Sequence, residues 1–148
     1  MKEIKGNIWD FHDKGNWIVI STNGTITKSG KLVMGRGVAL QAKERIKYID
    51  STLAYYIKQF GNKPVLLMGE KIITFPVKHN WFEKADLKLI EISAKSLIKS
   101  LNSMTFTQED KIYLPRVGCM NGGLDWKDVK PILEKYLDER FVVCDINA

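Results

Sequence analysis

KIYLPRVGCMNGGLDWKDVKPILEKYLDERFVVCDI, residues 111–146, decides the fold class. KIYLP (111–115) is an apolar run stopped by Pro115 and reads as a strand. Residues 116–125 are a glycine-rich loop. From Trp126 to Leu137, the residues Val129, Ile132, Leu133 and Tyr136 recur at helical spacing, with Pro131 placed early in the helix, where it is tolerated best. Phe141 to Ile146 is a second buried strand. Strand, helix and strand in close succession are the unit from which parallel sheets are built.

The same alternation runs back through the chain. Residues 2–5 read as a short strand leading into Gly6-Asn7, and WIVIS (17–21) as a buried strand ending at the turn signal Thr22-Asn23-Gly24. A polar loop fills 24–36. A helix is expected over 37–47, and a second over 51–60, capped by Asp50 and closed by Gly61. Pro64 opens a strand at 65–68, and Gly69-Glu70 reads as a hairpin turn into 71–75. The clearest helical period lies between Asp86 and Leu101, where Leu87, Ile90, Ala94, Leu97, Ile98 and Leu101 share a face. The expected architecture is one α/β domain over 1–148, a three-layer α/β/α sandwich with a mixed, largely parallel central sheet.

Composition narrows the function classes. The chain has 148 residues, 45% hydrophobic and 27% charged, which suits a globular protein and argues against disorder. No apolar run approaches the roughly 20 residues of a membrane span, so no membrane partner is expected. The first residues, MKEIKGNIWDF, lack the apolar stretch of a signal peptide. Cys119 and Cys144 are too few for a disulfide framework. With only His12 and His79 besides, no zinc-ligand spacing exists. A reduced, cytoplasmic protein with no metal and no cofactor is expected. The net charge of +6 favours an anionic partner, although the lysines are scattered rather than gathered in one tract.

Four loops follow strand ends, where open α/β sheets bind ligands. In the first, Met34-Gly35-Arg36-Gly37-Val38-Ala39 sets two glycines before a helix, where backbone N–H groups and the helix terminus suit a phosphate. By itself it reads equally as a tight turn. The second is Leu114-Pro115-Arg116-Val117-Gly118-Cys119-Met120-Asn121-Gly122-Gly123-Leu124-Asp125-Trp126, long for a plain connection. No histidine partners Cys119 in the sequence, so Cys119 reads as a small buried filler. In the third, Phe75-Pro76-Val77-Lys78-His79-Asn80-Trp81-Phe82, a lysine and two aromatics share one loop. Taken alone, Trp81 and Phe82 read as core anchors with Lys78 in solvent. The fourth, Gly6-Asn7-Ile8-Trp9-Asp10-Phe11, reads alone as a capped turn with Trp9 and Phe11 packed beneath it.

Taken together and in this order, the four loops resemble the macrodomain family, which binds ADP-ribose. The similarity is greatest to the branch of terminal ADP-ribose glycohydrolases and of antitoxin macrodomains that remove ADP-ribose from DNA. The resemblance implies that Asn7 stands where many members use Asp to read the adenine amino group, with Ile8 beside it. It implies that Asn23 lies near the distal ribose as a catalytic residue. Gly35 and Gly37 match the first phosphate loop, flanked by Met34 and Val38. Gly118, Cys119, Asn121, Gly122 and Gly123 match the diphosphate-wrapping loop, with Pro115, Met120 and Leu124 as its flanking contacts. Lys78 matches the lysine that acts on the distal ribose. Gly122 falls where one branch has a catalytic Asp, and Asp125 lies three residues further on. Arg36, between the two glycines, is left either as a phosphate contact or as a solvent-facing side chain.

The implied activity is hydrolysis of ADP-ribosyl conjugates on nucleic acid or protein, with ADP-ribosylated DNA favoured by the basic balance. Two alternatives stand beside it: a phosphatase acting on ADP-ribose-1''-phosphate, and a reader that holds ADP-ribose without turnover. All three require a site for a diphosphate and two riboses. ADP-ribose is therefore expected to bind at low micromolar strength or better and AMP more weakly; equal affinities by calorimetry would contradict the two-loop reading.

Overall fold

Ile18, Val19 and Ile20 are fully buried, three consecutive residues with no polar alternation. Such a run belongs to a strand covered on both faces, as in parallel sheets. The computed structural model, which describes residues 1–107 and 109–147, places them in β2 (Trp17–Thr22) near the middle of a six-stranded sheet. The other strands are β1 (Lys2–Lys5), β3 (Leu66–Leu67), β4 (Ile72–Pro76), β5 (Ile112–Leu114) and β6 (Phe141–Asp145). Their spatial order is β1-β6-β5-β2-β4-β3. Every pairing is parallel except the β3–β4 hairpin, so the sheet is mixed and largely parallel, as expected.

Two helical layers cover it. On one face α4 (Leu87–Asn102) and α5 (Trp126–Tyr136) bury Ile90, Ala94, Leu97, Val129 and Leu133 against Val19, Ile73, Ile112 and Phe141. On the other, α1 (Ile8–Asp13), α2 (Gly37–Arg45) and α3 (Ile49–Phe60) bury Ile8, Trp9, Ala42 and Leu53 against Ile18, Ile20 and Ile72. The alternation of side chains along each strand thus divides one apolar run between two cores. These three layers are the expected α/β/α sandwich.

Several local features differ from the sequence reading. The Asn7 turn opens a real helix, α1, because the Asn7 side chain accepts from Trp9 N (3.0 Å) as an N-cap. Asp50 does not cap α3; Tyr48 occupies the N-cap position, in the left-handed region at φ 66, without a side-chain capping bond. Asp50 is instead buried in the first turn, where its Oδ1 accepts from Ser51 N (2.9 Å) and its carbonyl accepts from Leu32 N (3.0 Å). Strand β3 is shorter than 65–68, since the Val65 N–H is taken by Thr74 Oγ1 (2.8 Å). The β3–β4 connection spans four residues, 68–71, with Lys71 rather than Gly69 at positive φ. Pro131 is the sixth residue of α5, inside the helix rather than in its first turn, so α5 forgoes a hydrogen bond there.

The connections create the site. After β2 the chain passes to α2 on one face; after the neighbouring β5 it passes to α5 on the other. Two adjacent parallel strands whose connections diverge leave a crevice beyond their carboxyl ends.

One ionic clasp stabilises the far side. Arg140 is 3% exposed; its Nε and Nη2 donate to the Asp138 carboxylate at 2.7–3.1 Å, and Nη2 reaches Asn102 Oδ1 at 3.4 Å, at the end of α4. The Arg140 hydrogen bond holds the Asp138 carboxyl below its ordinary value. A depressed carboxyl adds stability above its unfolded pKa and loses it as pH falls through the folded value. Asp138→Asn is expected to cost about 1–3 kcal/mol at neutral pH. The difference from the parent should shrink in urea titrations below about pH 4; a gap that stays constant down to acid pH would mean the charge is not its source.

Candidate active site

A cleft of about 1060 Å³ lies where β2 and β5 diverge, and all four loops line it. Its first wall is the segment after β2. Asn23 Nδ2 donates to the Val33 carbonyl (3.0 Å), while its Oδ1 accepts from Thr25 N (2.9 Å). Leu32 and Met34, each 2% exposed, sink into the core beneath α2 and α3. That anchoring sets Gly35-Arg36-Gly37 at the cleft wall, where α2 begins. No side chain caps α2, and its first helical bond runs from Leu40 N to the Arg36 carbonyl. The N–H groups ahead of Leu40 lack helix partners and suit an anion.

The second wall is the loop 115–125. It curls on itself through Cys119 N to the Arg116 carbonyl (3.1 Å) and Leu124 N to the Gly118 carbonyl (3.0 Å). At Gly122 a Cβ would lie 2.3 Å from the Gly118 oxygen, so only glycine fits. Across the cleft a Cβ on Gly37, which has φ +58, would come within 3.4 Å of Asn121 Nδ2. The two glycine loops therefore meet over the crevice.

Lys78 ties the third loop to the second. Its Nζ donates to the carbonyls of Asn121 and Trp81, each at 3.3 Å. The loop backbone is pinned from below, by Asn62 Nδ2 on the Lys78 carbonyl (3.1 Å) and Gly24 N on the His79 carbonyl (3.1 Å). His79 Nε2 meets Asp86 Oδ2 at 3.0 Å; that hydrogen bond holds the Asp86 carboxyl low, while Asp86 Oδ1 caps α4. Trp81 and Phe82 are not core anchors: they are 51% and 70% exposed, at the cleft mouth. The backbone tethers that hold this loop do not need the rings.

The cleft gathers every residue singled out in the sequence. Asn7, Ile8, Met34, Gly35, Gly37 and Val38 lie on its first side. Pro115, Gly118, Cys119, Met120, Asn121, Gly122, Gly123 and Leu124 lie on its second, with Asn23 and Lys78 at its base and bridge. Met34 is buried where it borders the cleft. Asn23 makes one hydrogen bond at each end of its amide within its own loop and lines the cleft as well. Cys119 is half-buried at the cleft wall rather than fully buried, and burial pushes its thiol up to about 11, which keeps it protonated at neutral pH.

Three residues at the cleft escaped the sequence reading. Thr22 is 5% exposed and its Oγ1 has no protein partner, an open hydrogen-bonding group at the end of β2. Arg116 is paired with Asp145 (3.2 Å) and Glu3 (3.6 Å), and Glu3 also accepts from Lys130 (2.7 Å). These partners come from β1, β6 and α5, and nothing in their spacing joins them. Lys84, like Arg36, takes part in no ion pair among the described residues. Among those residues no group of three His, Cys, Asp or Glu could hold a metal, and no helix is long and apolar enough to cross a membrane.

Known proteins share the fold that creates this crevice. The chain is similar to the curated DNA ADP-ribosyl glycohydrolase of Mycobacterium tuberculosis, at 34% identity over 109 residues, 66% of this chain and 30% of that protein. It is 30% identical over 117 residues to that of Thermus aquaticus, covering 72% and 31%. Among solved structures, the macrodomain of Mycobacterium tuberculosis DarG matches with a TM-score of 0.77 at 24% identity, over 97% of this chain and 96% of that one. The chain belongs to the macrodomain family. No family model matches it. The Thermosipho africanus DarTG structure in complex with ADP-ribose has the same fold, with a TM-score of 0.73 at 20% identity, over 96% of this macrodomain and 40% of that chain. The macrodomain spans about 30% of the length of the curated relatives it matches.

Gly122 offers the sharpest test of the geometry. The Cβ direction at Gly122 runs into the Gly118 backbone rather than into open space. Gly122→Ala should therefore already reopen the loop and weaken ADP-ribose binding strongly, with the circular dichroism spectrum kept. Gly69→Ala, in the β3–β4 turn away from the cleft, whose Cβ meets nothing within 4 Å, is the control that should bind like the parent. Parental affinity in Gly122→Ala would show that the close approach is dispensable.

Proposed function

We propose that this macrodomain binds ADP-ribose in the cleft and hydrolyses ADP-ribosyl conjugates, with ADP-ribosylated DNA as the substrate class. The observation that carries the reading is the Lys78 amine, held 3.3 Å from the Asn121 carbonyl of the diphosphate-wrapping loop. An amine at the end of the cleft, joined to the loop that would hold the diphosphate, stands beside the distal ribose. The names of the curated relatives supply the DNA part of the proposal.

In this reading the unpartnered N–H groups at the start of α2 and the curled loop 115–125 hold the diphosphate, while Asn7 and Ile8 border the adenosine end. The unprotonated Lys78 amine attacks C1'' of the distal ribose. The bond from C1'' to the acceptor breaks, and its electron pair leaves with the acceptor, which takes up a proton. Water then attacks C1'', releasing ADP-ribose and restoring the amine. Both cysteines are free thiols, which fits a reducing, cytoplasmic setting as part of the same proposal. A second reading, action on ADP-ribose-1''-phosphate, draws on Arg36 and Lys84 as cations free to meet a terminal phosphate; phosphate release from that compound would distinguish it.

Lys78→Ala and Lys78→Arg should both lose turnover of ADP-ribosylated oligonucleotide while keeping most of the ADP-ribose affinity. Guanidinium stays protonated and cannot attack. Full turnover by the Arg variant would rule out the covalent role, and release of no ADP-ribose by the parent would favour a reader.

A further inference from the structure

The loop that carries Lys78 also carries two rings at the cleft mouth. Trp81 and Phe82 stand edge to face, with centroids 5.8 Å apart and planes at 88°. Their exposure is built in. Trp81 N donates to Thr25 Oγ1 (2.9 Å), Asn80 N donates to Glu83 Oε1 (2.8 Å), and Ala85 N donates to the Gly122 carbonyl (2.8 Å). The backbone is thus tied down on both sides of the rings, and their faces are left to solvent. Two adjacent exposed aromatics on a tethered loop are costly unless something covers them.

Their position says what covers them. The Trp81 carbonyl accepts from Lys78 Nζ at 3.3 Å, so this residue sits beside the amine that would act on C1''. Whatever is bonded to C1'' lies on the side away from the diphosphate, at the cleft mouth. A flat, π-faced acceptor can stack there; an aliphatic carboxylate side chain gains little from it. Cations frame the place. The Lys84 stem passes Gly123, where a Cβ would lie 3.5 Å from Lys84 Cγ, and Arg36 lines the cleft from the opposite loop. Neither forms an ion pair among the described residues. Glu83, the acid between them in sequence, has its carboxylate engaged by Asn80 N.

We propose that Trp81 and Phe82 are a stacking platform for a nucleobase of single-stranded DNA bearing the ADP-ribose, with Lys84 and Arg36 meeting the flanking phosphates. This rests on the reading of the cleft as an ADP-ribose site and adds the acceptor side. The strand is single because a base inside a duplex has both faces covered by its neighbours, whereas stacking on protein aromatics needs a free face.

The test compares Trp81→Ala/Phe82→Ala with the parent. The probes are free ADP-ribose, a single-stranded oligonucleotide carrying one ADP-ribose, the same modified strand in a duplex, and an ADP-ribosylated peptide. The parent should bind the modified single strand more tightly than free ADP-ribose. The double variant should lose that gain, roughly a five- to hundredfold drop for a stacked base, with its affinity for free ADP-ribose unchanged. Trp81→Phe/Phe82→Tyr, which keeps both rings, should restore it. Lys84→Ala should flatten the salt dependence of strand binding. A double variant that keeps the gain, a loss seen on the peptide instead of the strand, or equal binding of the duplex would overturn the platform. A parent that binds ADP-ribose but gains nothing from the attached strand overturns it too. A parent that fails to bind ADP-ribose would overturn the reading of the cleft, and the platform with it.

Discussion

The pairing of β2 with β5 is the constraint on which the cleft depends. These two strands lie side by side and parallel, with Trp17 opposite Ile112 and Ile18 opposite Tyr113. One hands the chain to the α2 side, the other to the α5 side. The space between their departing loops cannot be filled by either helix, so it persists as a crevice. Both glycine loops and the Lys78 loop are fixed by where they leave this pair or its neighbour β4.

Within the crevice the working parts are held by backbone more than by side chains. Gly118 and Gly122 approach so closely that any side chain would push them apart. Asn23, Asn62 and Thr25 each hold loop backbone through a side-chain hydrogen bond. Such a site presents amides in fixed directions, which suits a ligand whose central feature is a diphosphate. The Lys78 amine is tied into the same cradle through the Asn121 and Trp81 carbonyls.

Much of this was legible in the residues. The apolar runs 17–21 and 141–146 and the period of 86–101 announced strands and a helix, because a doubly covered sheet needs continuous apolar strands. The glycine loops announced themselves by composition, and all the residues chosen from them line one cleft. What was hidden depended on contacts remote in sequence. Asp50 looked like a helix cap, yet the Leu32 amide drew the chain around it into a buried first turn. Trp81 and Phe82 looked like core residues by type, and only the tethers from Thr25 and Glu83 show why they stand outside. Thr22 gave no signal at all, since an open hydroxyl is a property of its surroundings.

The place of β1 has a consequence for synthesis. Among the described residues its strand partner is β6, with Lys2 opposite Val142, so β1 joins the sheet through the strand made after all the others of that sheet. Until β6 is made, β1 has no edge to join. The β5–β6 edge that borders the second glycine loop is likewise unformed. Closing so long a loop carries an entropic cost that only late, non-local contacts can offset. The nascent chain can therefore build the β2–β4 half and its helices first, and the cleft is completed only when β6 pairs with β1 and β5.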